Sequence, residues 1–372
     1  MSKKTKRESD KKKTTAKRSP ATARSKRDSA AGNGPVTLAE AKALAQAKLP
    51  KRAIQRRAAA AAATPQTVAN ERQRLEKERR EEFARRTREY KATLSIMKQR
   101  GVKGLTPPTA GPPKRRTARA VAAAGMPLQI FAEGDSWFEY PYPFFGGGLI
   151  PRLETRLGIP ILNLAKAGDE VRFMLGVEER EILVQSLKDG CPAGGDWDVL
   201  LFSGGGNDIV GNPMALWIKD YDPAIPPAKL IDEGRFQAAL KLVSAGYEDL
   251  IALRDSFSPN THIVFHGYDF AIPDGRGACG YGPWLKPTFD LRNFPNRAAA
   301  VEVVKALLQR FADLLLSFQK NHSGVTFINT QGTLAAQTSS WHNELHPSKS
   351  GFNKIADVLH KKLKSLFPSR VP

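Results

Sequence analysis

The sequence from Met126 onwards predicts an α/β fold, in which helices cover both faces of a parallel sheet. Five short apolar runs alternate with helical segments, and 41% hydrophobic residues with 18 Phe are enough for a sizeable core. The runs are 127–132, 159–164, 198–203, 261–266 and 325–329, and the helical segments lie near 149–157, 169–187, 235–256, 297–320 and 348–366. Ligands bind outside the carboxyl ends of such strands, so the loops after the runs are the candidate site.

The N-terminal third carries the whole positive charge of the chain. The 372 residues contain 58 Lys and Arg against 37 Asp and Glu, a net charge of +21. Residues 1–126 contain 34 basic and 10 acidic residues, a balance of +24, which leaves −3 for residues 127–372. Lys- and Arg-rich segments neutralise phosphates, so nucleic acid or an anionic surface is a candidate partner of residues 1–125, with a solvated tail as the alternative.

Three segments precede the predicted domain at 126–368. Residues 1–69 form a Lys-, Arg- and Ala-rich arm, which we expect to be disordered because it has few large apolar side chains to bury, although Ala-rich stretches in 36–63 can form short helices. A charged amphipathic helix over 70–100, capped by Asn70, has a narrow apolar stripe that predicts docking or self-association. Residues 101–125 are rich in Pro, Gly and Arg and predict a linker.

Several classes of protein are disfavoured by the composition. Cys191 and Cys279 have neither metal-binding spacing nor enough partners for a disulfide framework. No run of about 18 apolar residues and no secretory signal is found, so we expect a cytoplasmic protein without a transmembrane segment. We expect no metal or organic cofactor, and the oligomeric state stays open.

The first two runs end in motifs that fit a reactive site. Gly134-Asp135-Ser136 follows the first run, where a tight strand-to-helix turn exposes a serine hydroxyl, although this tripeptide is also common in ordinary turns. Gly168 follows the second run, where a glycine lets the backbone approach a ligand and donate to an oxyanion. Each motif alone is weak.

The third and last runs add an amide and a histidine. Three glycines lead into Asn207, whose amide can donate to an oxyanion; the Lys-Ser/Thr pair of a phosphate-binding loop is absent. After the last run, His346 precedes Pro347 and a helix and is a candidate general base. His342 and His346, with Glu344 between them, also raise a zinc site, but their order differs from the His-Glu-x-x-His motif and no third ligand stands out.

These four blocks occur in one order, each at a predicted strand end. That order resembles the SGNH/GDSL hydrolase family over about residues 127–367. The resemblance implies a three-layer α/β/α, flavodoxin-like sandwich with about five parallel strands. It also implies Ser136 as nucleophile, His346 as general base, and an oxyanion hole from Ser136, Gly168 and Asn207.

One position departs from the family pattern. The family usually has an Asp three residues before the His, whereas this chain has Asn343. An Asn can accept a hydrogen bond from the imidazole but cannot offset the imidazolium charge. Three arrangements are open: Asn343 orients His346, Glu344 does so, or Ser136 and His346 act as a dyad. We favour Asn343 or Glu344 without choosing between them.

The expected activity is that of a serine esterase or lipase acting on an acyl or acetyl ester, from a small-molecule, lipid or carbohydrate substrate. Two long loops carry aromatic residues that line either a pocket or the core. The candidate pocket residues are Asp135, Trp137, His266, Asp269 and Trp284. The alternative function is a weak or inactive SGNH-like domain in a protein that binds nucleic acid or an anionic surface through its basic arm.

Overall fold

The computed structural model describes residues 37–48, 65–102, 127–140, 147–192, 195–278 and 280–372. All of these belong to one compact unit that starts at Pro35. The first part of the predicted arm, nearly all of the predicted linker and Cys279 lie outside the described residues.

A five-stranded parallel sheet forms the centre of the fold. Its strands are β1 (Ile130–Gly134), β2 (Leu162–Asn163), β3 (Val199–Ser203), β4 (His262–His266) and β5 (Val325–Ile328). Their spatial order is β2-β1-β3-β4-β5, and every neighbouring pair is parallel. This is the flavodoxin-like order, so the predicted α/β fold with five parallel strands is confirmed.

The described residues form ten α-helices. They are α1 (Leu38–Lys48), α2 (Pro65–Gln99), α3 (Leu149–Leu157), α4 (Val171–Met174), α5 (Val177–Asp189), α6 (Gly206–Ile209), α7 (Glu233–Phe257), α8 (Lys286–Leu291), α9 (Arg297–Asn321) and α10 (Lys349–Leu366). Right-handed crossovers place α5, α7 and α9 on one face, because the chain moves in one direction from β2 to β5. The step from β1 to β2 runs the other way and puts α3 on the opposite face, where it packs against α10.

Two elements are shorter than the sequence predicted. The second strand covers only Leu162–Asn163 of the predicted run 159–164, because Pro160 has no backbone N–H to donate to a ladder. The predicted helix over 169–187 is divided into α4 and α5 at Gly176, whose extended backbone begins the second helix. The remaining predicted strands and helices lie within a few residues of their observed bounds.

Part of the predicted disordered arm is folded. Residues 38–48 form α1, in which Ala41 is fully buried and Lys42 pairs with Glu154 of α3. The long helix α2 begins at Pro65, so Asn70 lies inside the helix and does not cap it. Proline is favoured in the first helical turn, where its missing N–H has no partner to lose.

Helix α2 lies along β2, the edge strand of the sheet. A guanidinium nitrogen of Arg86 donates to the backbone oxygen atoms of Asn163 (3.3 Å) and Ala165 (2.8 Å). Further along the helix, Tyr90 packs against Trp197 with ring centroids 5.8 Å apart, and Leu94 and Met97 are buried. The predicted apolar stripe therefore docks on the domain at its C-terminal end, whereas Leu75 near its other end is 54% exposed.

Within the described residues, no helix has the length and apolar character needed to cross a membrane.

Candidate active site

Ser136 and His346 meet at the carboxyl end of the sheet. Asp135 continues the β1–β3 pairing by donating its N–H to the Ser203 oxygen (2.9 Å), and the chain then turns, so Ser136 lies just past the strand. His346 lies in the loop between β5 and α10. Its Nε2 is 2.7 Å from the Ser136 hydroxyl oxygen, a normal hydrogen-bond distance. The two residues are 210 positions apart in the sequence.

Asn343 contacts the other nitrogen of the imidazole. The Asn343 Oδ1 atom lies 3.0 Å from Nδ1 of His346 and also accepts the backbone N–H groups of Leu345 and His346, both at 2.9 Å. The Asn343 Nδ2 atom donates to the Tyr140 hydroxyl at 2.9 Å. Two backbone donors and one acceptor thus fix which end of the amide faces the ring.

This amide orientation selects one tautomer of His346. Because Oδ1 can only accept, Nδ1 carries the proton and Nε2 is left to accept from Ser136. The Tyr140 ring stacks on the imidazole, with centroids 4.2 Å apart and planes 19° apart, and so restrains its tilt. Burial lowers the pKa of His346 to about 3, and the nearby His342 acts in the same direction. The ring is therefore held neutral with its free lone pair towards the serine.

Glu344, the other candidate orienter, makes its hydrogen bonds elsewhere. Its carboxylate is fully buried and accepts four backbone N–H groups. These belong to Gly275 (2.8 Å), Trp284 (2.6 Å), Leu285 (2.7 Å) and Lys286 (3.0 Å). Glu344 therefore anchors the long loop after β4, and Asn343 is the residue that contacts His346.

Asn207 lines a small cavity together with Ser136 and His346. The cavity has a volume of about 30 Å³. Gly205, which precedes Asn207 by two residues, has φ +94°, and a Cβ there would lie 2.7 Å from the ring of Phe311. Only glycine fits both the backbone angle and the close packing, so the glycines after β3 set the position of Asn207.

Gly168 lies beside this cavity rather than in its wall. It is exposed, has φ +88°, and lines a groove of about 1060 Å³ between α2 and residues 164–179. One hydrogen bond connects the cavity with the loop beside the groove: Asn207 donates an Nδ2 hydrogen to the backbone oxygen of Asp169 at 2.8 Å. The loop that follows β2 is thus tied to the amide that follows β3.

The Asp135 side chain stabilises the turn that carries Ser136. Its buried carboxylate accepts hydrogen bonds from the Trp137 N–H and the Ser203 hydroxyl, both at 2.9 Å, and from the Tyr268 hydroxyl. Burial raises the pKa of Asp135 to about 6, although the Tyr268, Trp137 and Ser203 donors counteract the shift. Sequence reasoning missed Tyr140, Ser203 and Tyr268. Tyr140 and Ser203 lie close to a motif along the chain, which is a signal that could have found them, whereas Tyr268 has no such signal.

The other predicted pocket residues have different positions. Asp135, Trp137 and Asp269 line the small cavity, and Asp269 accepts the N–H groups of Phe270, Gly332 and Leu334. His266 lies behind Trp137, with ring centroids 5.6 Å apart and planes 24° apart. Burial lowers the pKa of His266 to about 4. Trp284 meets His346 edge to face at 6.0 Å.

The described residues contain no group of three or more His, Cys, Asp or Glu side chains placed to hold a metal ion. His342 instead contacts Tyr140, whose hydroxyl lies 2.7 Å from its Nδ1 atom.

No family model and no curated protein sequence matches the chain. Among solved structures, it is similar to the lipase Lip_vut3 from a goat rumen metagenome, with 16% identity, a TM-score of 0.41, and coverage of 63% of this chain and 96% of the lipase. It is similar to a family 3 carbohydrate esterase of Clostridium thermocellum, with 16% identity, a TM-score of 0.38, and coverage of 66% and 99%. A protein of Slackia heliotrinireducens, described provisionally as an SGNH hydrolase, matches with 13% identity, a TM-score of 0.39, and coverage of 64% and 99%. These three solved structures are thus described as a lipase, a carbohydrate esterase and, provisionally, an SGNH hydrolase.

Proposed function

We propose that this protein is a serine hydrolase that cleaves a carboxylic ester through an acyl-enzyme on Ser136. The observation that carries the proposal is the hydrogen-bonded series from Asn343 through His346 to Ser136. Nucleophile, base and orienting group within hydrogen-bond reach of each other are the arrangement that covalent acyl transfer requires.

In the first step, His346 acts as the general base. Its Nε2 takes the proton of the Ser136 hydroxyl as the Oγ atom attacks the ester carbonyl. The negative oxygen of the tetrahedral intermediate is held by the Ser136 N–H group and the Asn207 amide, which border the cavity. The N–H group of Gly168, beside the cavity, is the third candidate donor. The intermediate then collapses as His346 returns its proton to the leaving alcohol.

In the second step, water releases the acid. His346 takes a proton from a water molecule, the resulting hydroxide attacks the acyl-enzyme carbonyl, and Ser136 leaves with the proton returned by His346. Asn343 holds the ring in the productive tautomer through both steps. As an uncharged amide it does not stabilise the imidazolium as a carboxylate would. Burial lowers the pKa of His346 to about 3, so the ring is neutral over most of the pH range.

The size of the cavity supports a short acyl group. At about 30 Å³, the cavity beside Ser136 is far smaller than the several hundred Å³ of pockets that enclose a whole ligand. An acetyl ester therefore fits the site better than a long-chain lipid ester, and the alcohol portion lies outside this cavity.

The direct test is hydrolysis of p-nitrophenyl acetate by the wild-type chain and by Ser136→Ala. We expect the variant to lose nearly all activity, and the exposed Ser323→Ala control to keep it. A fluorophosphonate probe followed by mass spectrometry should label Ser136 in the wild type. Equal rates for wild type and Ser136→Ala, or an unlabelled Ser136, would exclude this function.

A further inference from the structure

The N-terminal helix α2 contacts the loop that carries Gly168 at both ends of that loop. Arg86 binds the loop's start, where its guanidinium donates to the backbone oxygen atoms of Asn163 and Ala165. The same guanidinium lies 3.3 Å from a Glu139 carboxylate oxygen, and Glu139 in turn accepts the Asn163 amide at 2.7 Å. These bonds occupy carbonyl groups that the edge strand would otherwise present to solvent.

Arg79 binds the other end of the loop, seven residues earlier on the same helix. One of its terminal nitrogens lies 3.0 Å from an Asp169 carboxylate oxygen, and the other pairs with Glu179 of α5. The Asp169 and Glu179 side chains are each less than a tenth exposed, and Arg79 supplies positive charge to both of these buried carboxylates. Lys166, within the loop itself, is a second partner of Asp169, at 3.2 Å. Residues 165–169 are thus held between two arginines.

The loop so held connects directly to the candidate oxyanion donors. Gly168 lies within it, and a glycine alone imposes little rigidity on a backbone. The backbone N–H of Lys166 donates to the backbone oxygen of Gly134, two residues before Ser136. The backbone oxygen of Asp169 accepts a hydrogen bond from the Asn207 side-chain amide. A shift of this loop would therefore move Gly168 and release the acceptor that orients Asn207.

We propose that Arg79 and Arg86 are positioning residues for the oxyanion hole, so that the N-terminal helix forms part of the catalytic unit. This inference rests on the proposed hydrolase function. Oxyanion stabilisation depends on donors that are already in place before the reaction, and a displacement of about 1 Å is enough to cost on the order of 10²-fold in rate.

The experiment uses the full chain and four variants: Arg86→Ala, Arg86→Lys, Arg79→Ala and, as matched control, Arg88→Ala at an exposed position of the same helix. For Arg86→Ala we expect kcat for p-nitrophenyl acetate to fall about 10- to 100-fold at nearly constant KM. Affinity for a trifluoromethyl ketone, which forms a tetrahedral oxyanion adduct, should fall in parallel. Arg86→Lys should be intermediate, because one ammonium group does not reproduce the planar guanidinium, and added guanidinium ion should partly rescue Arg86→Ala.

Hydrogen exchange at residues 164–170 provides a readout that does not depend on activity. Exchange in this segment should accelerate in Arg86→Ala and Arg79→Ala while thermal unfolding remains cooperative, and Arg88→Ala should match the wild type. Unchanged exchange, or faster exchange with unchanged kcat and ketone affinity, would overturn the inference. Hydrolysis that does not depend on Ser136 would instead reject the proposed function, so the two failures are distinguishable.

Discussion

The side-chain oxygen of Asn343 lies 3.0 Å from Nδ1 of His346 and is held there by two backbone N–H groups. In serine proteases, an Asn in place of the triad Asp lowers the rate about 10⁴-fold because the amide selects the wrong imidazole tautomer. Here the backbone of the same loop prevents the amide from turning its Nδ2 towards the ring. Asn343 held in this way keeps the proton on Nδ1 of His346, where the proposed mechanism needs it.

Asn343→Asp should shift the pH dependence of the reaction. A carboxylate would favour the imidazolium and raise the pKa of His346 from about 3. The base works only when neutral, so the fall in kcat/KM on the acid side should move to higher pH. The measurement is kcat/KM for p-nitrophenyl acetate from about pH 4 to about pH 8, a range that brackets the ordinary histidine pKa. Superimposable profiles for the two proteins would contradict this assignment of Asn343.

Glu344→Gln should destabilise the protein without changing that pH profile. The new amide nitrogen would face two of the backbone N–H groups that the carboxylate accepts. The cost is about 1–3 kcal/mol for each buried donor left without an acceptor. Urea unfolding measures it, and the exposed Glu302→Gln control should change the free energy of unfolding by less than about 0.5 kcal/mol. A profile shifted as in Asn343→Asp would return Glu344 to the role of orienter.

Asn207→Ala should reduce kcat while leaving KM nearly unchanged. Loss of one oxyanion donor typically costs about 10²–10³-fold in kcat, because the bond strengthens only in the transition state. Steady-state kinetics with p-nitrophenyl acetate measures the loss, and the exposed Asn212→Ala is the matched control. A change confined to KM would assign Asn207 to substrate binding instead.

Tyr268→Phe should destabilise the protein more at pH 8 than at pH 5. The tyrosine hydroxyl donates to the buried Asp135 carboxylate, whose pKa is raised to about 6. Because that value lies above the ordinary 3.8, the folded state gains stability as Asp135 takes up a proton, and loses it as the pH rises through about 6. Removing a donor to the charged form therefore costs most above this pH. Denaturant unfolding at both pH values, with the exposed Tyr281→Phe as control, gives the comparison; an equal cost at both would argue against a charged Asp135.

Acetyl esters should be better substrates than longer acyl esters. The small cavity beside Ser136 favours a short acyl chain, so kcat/KM should fall from p-nitrophenyl acetate to the butyrate and the octanoate. Leu308 lines the cavity, and Leu308→Ala should raise the rate with the butyrate relative to the acetate. A preference for the octanoate in the wild type would show that the acyl chain occupies another surface, such as the groove beside α2.

The sequence predicted the elements whose signals are local. The apolar runs and helical periods located the five strands and the main helices, and the order of the four blocks predicted that Ser136 and His346 would meet. The sequence could not decide whether Asn343 or Glu344 contacts His346. The two residues are adjacent, and only the loop conformation determines which side chain faces the imidazole.

Contacts between distant segments were also beyond the sequence. The apolar stripe of α2 predicted docking, but it did not indicate which surface the helix packs against. The contact of Arg86 with β2 depends on the order of the strands in the sheet. Tyr268 reaches Asp135 across 133 residues, and no spacing rule relates the two positions.

The contact between α2 and the edge strand β2 also bears on whether the sheet can pair with a second copy of the chain. Every residue of β1 and β3 is buried, whereas β2 has a neighbour strand on one side only. An uncovered edge strand presents unpaired N–H and C=O groups, with which a strand of a second molecule can pair. Arg86 occupies two of these carbonyl groups with a charged, non-extendable partner. A chain that began at residue 127 would lose that protection and would self-associate through β2 in a concentration-dependent manner.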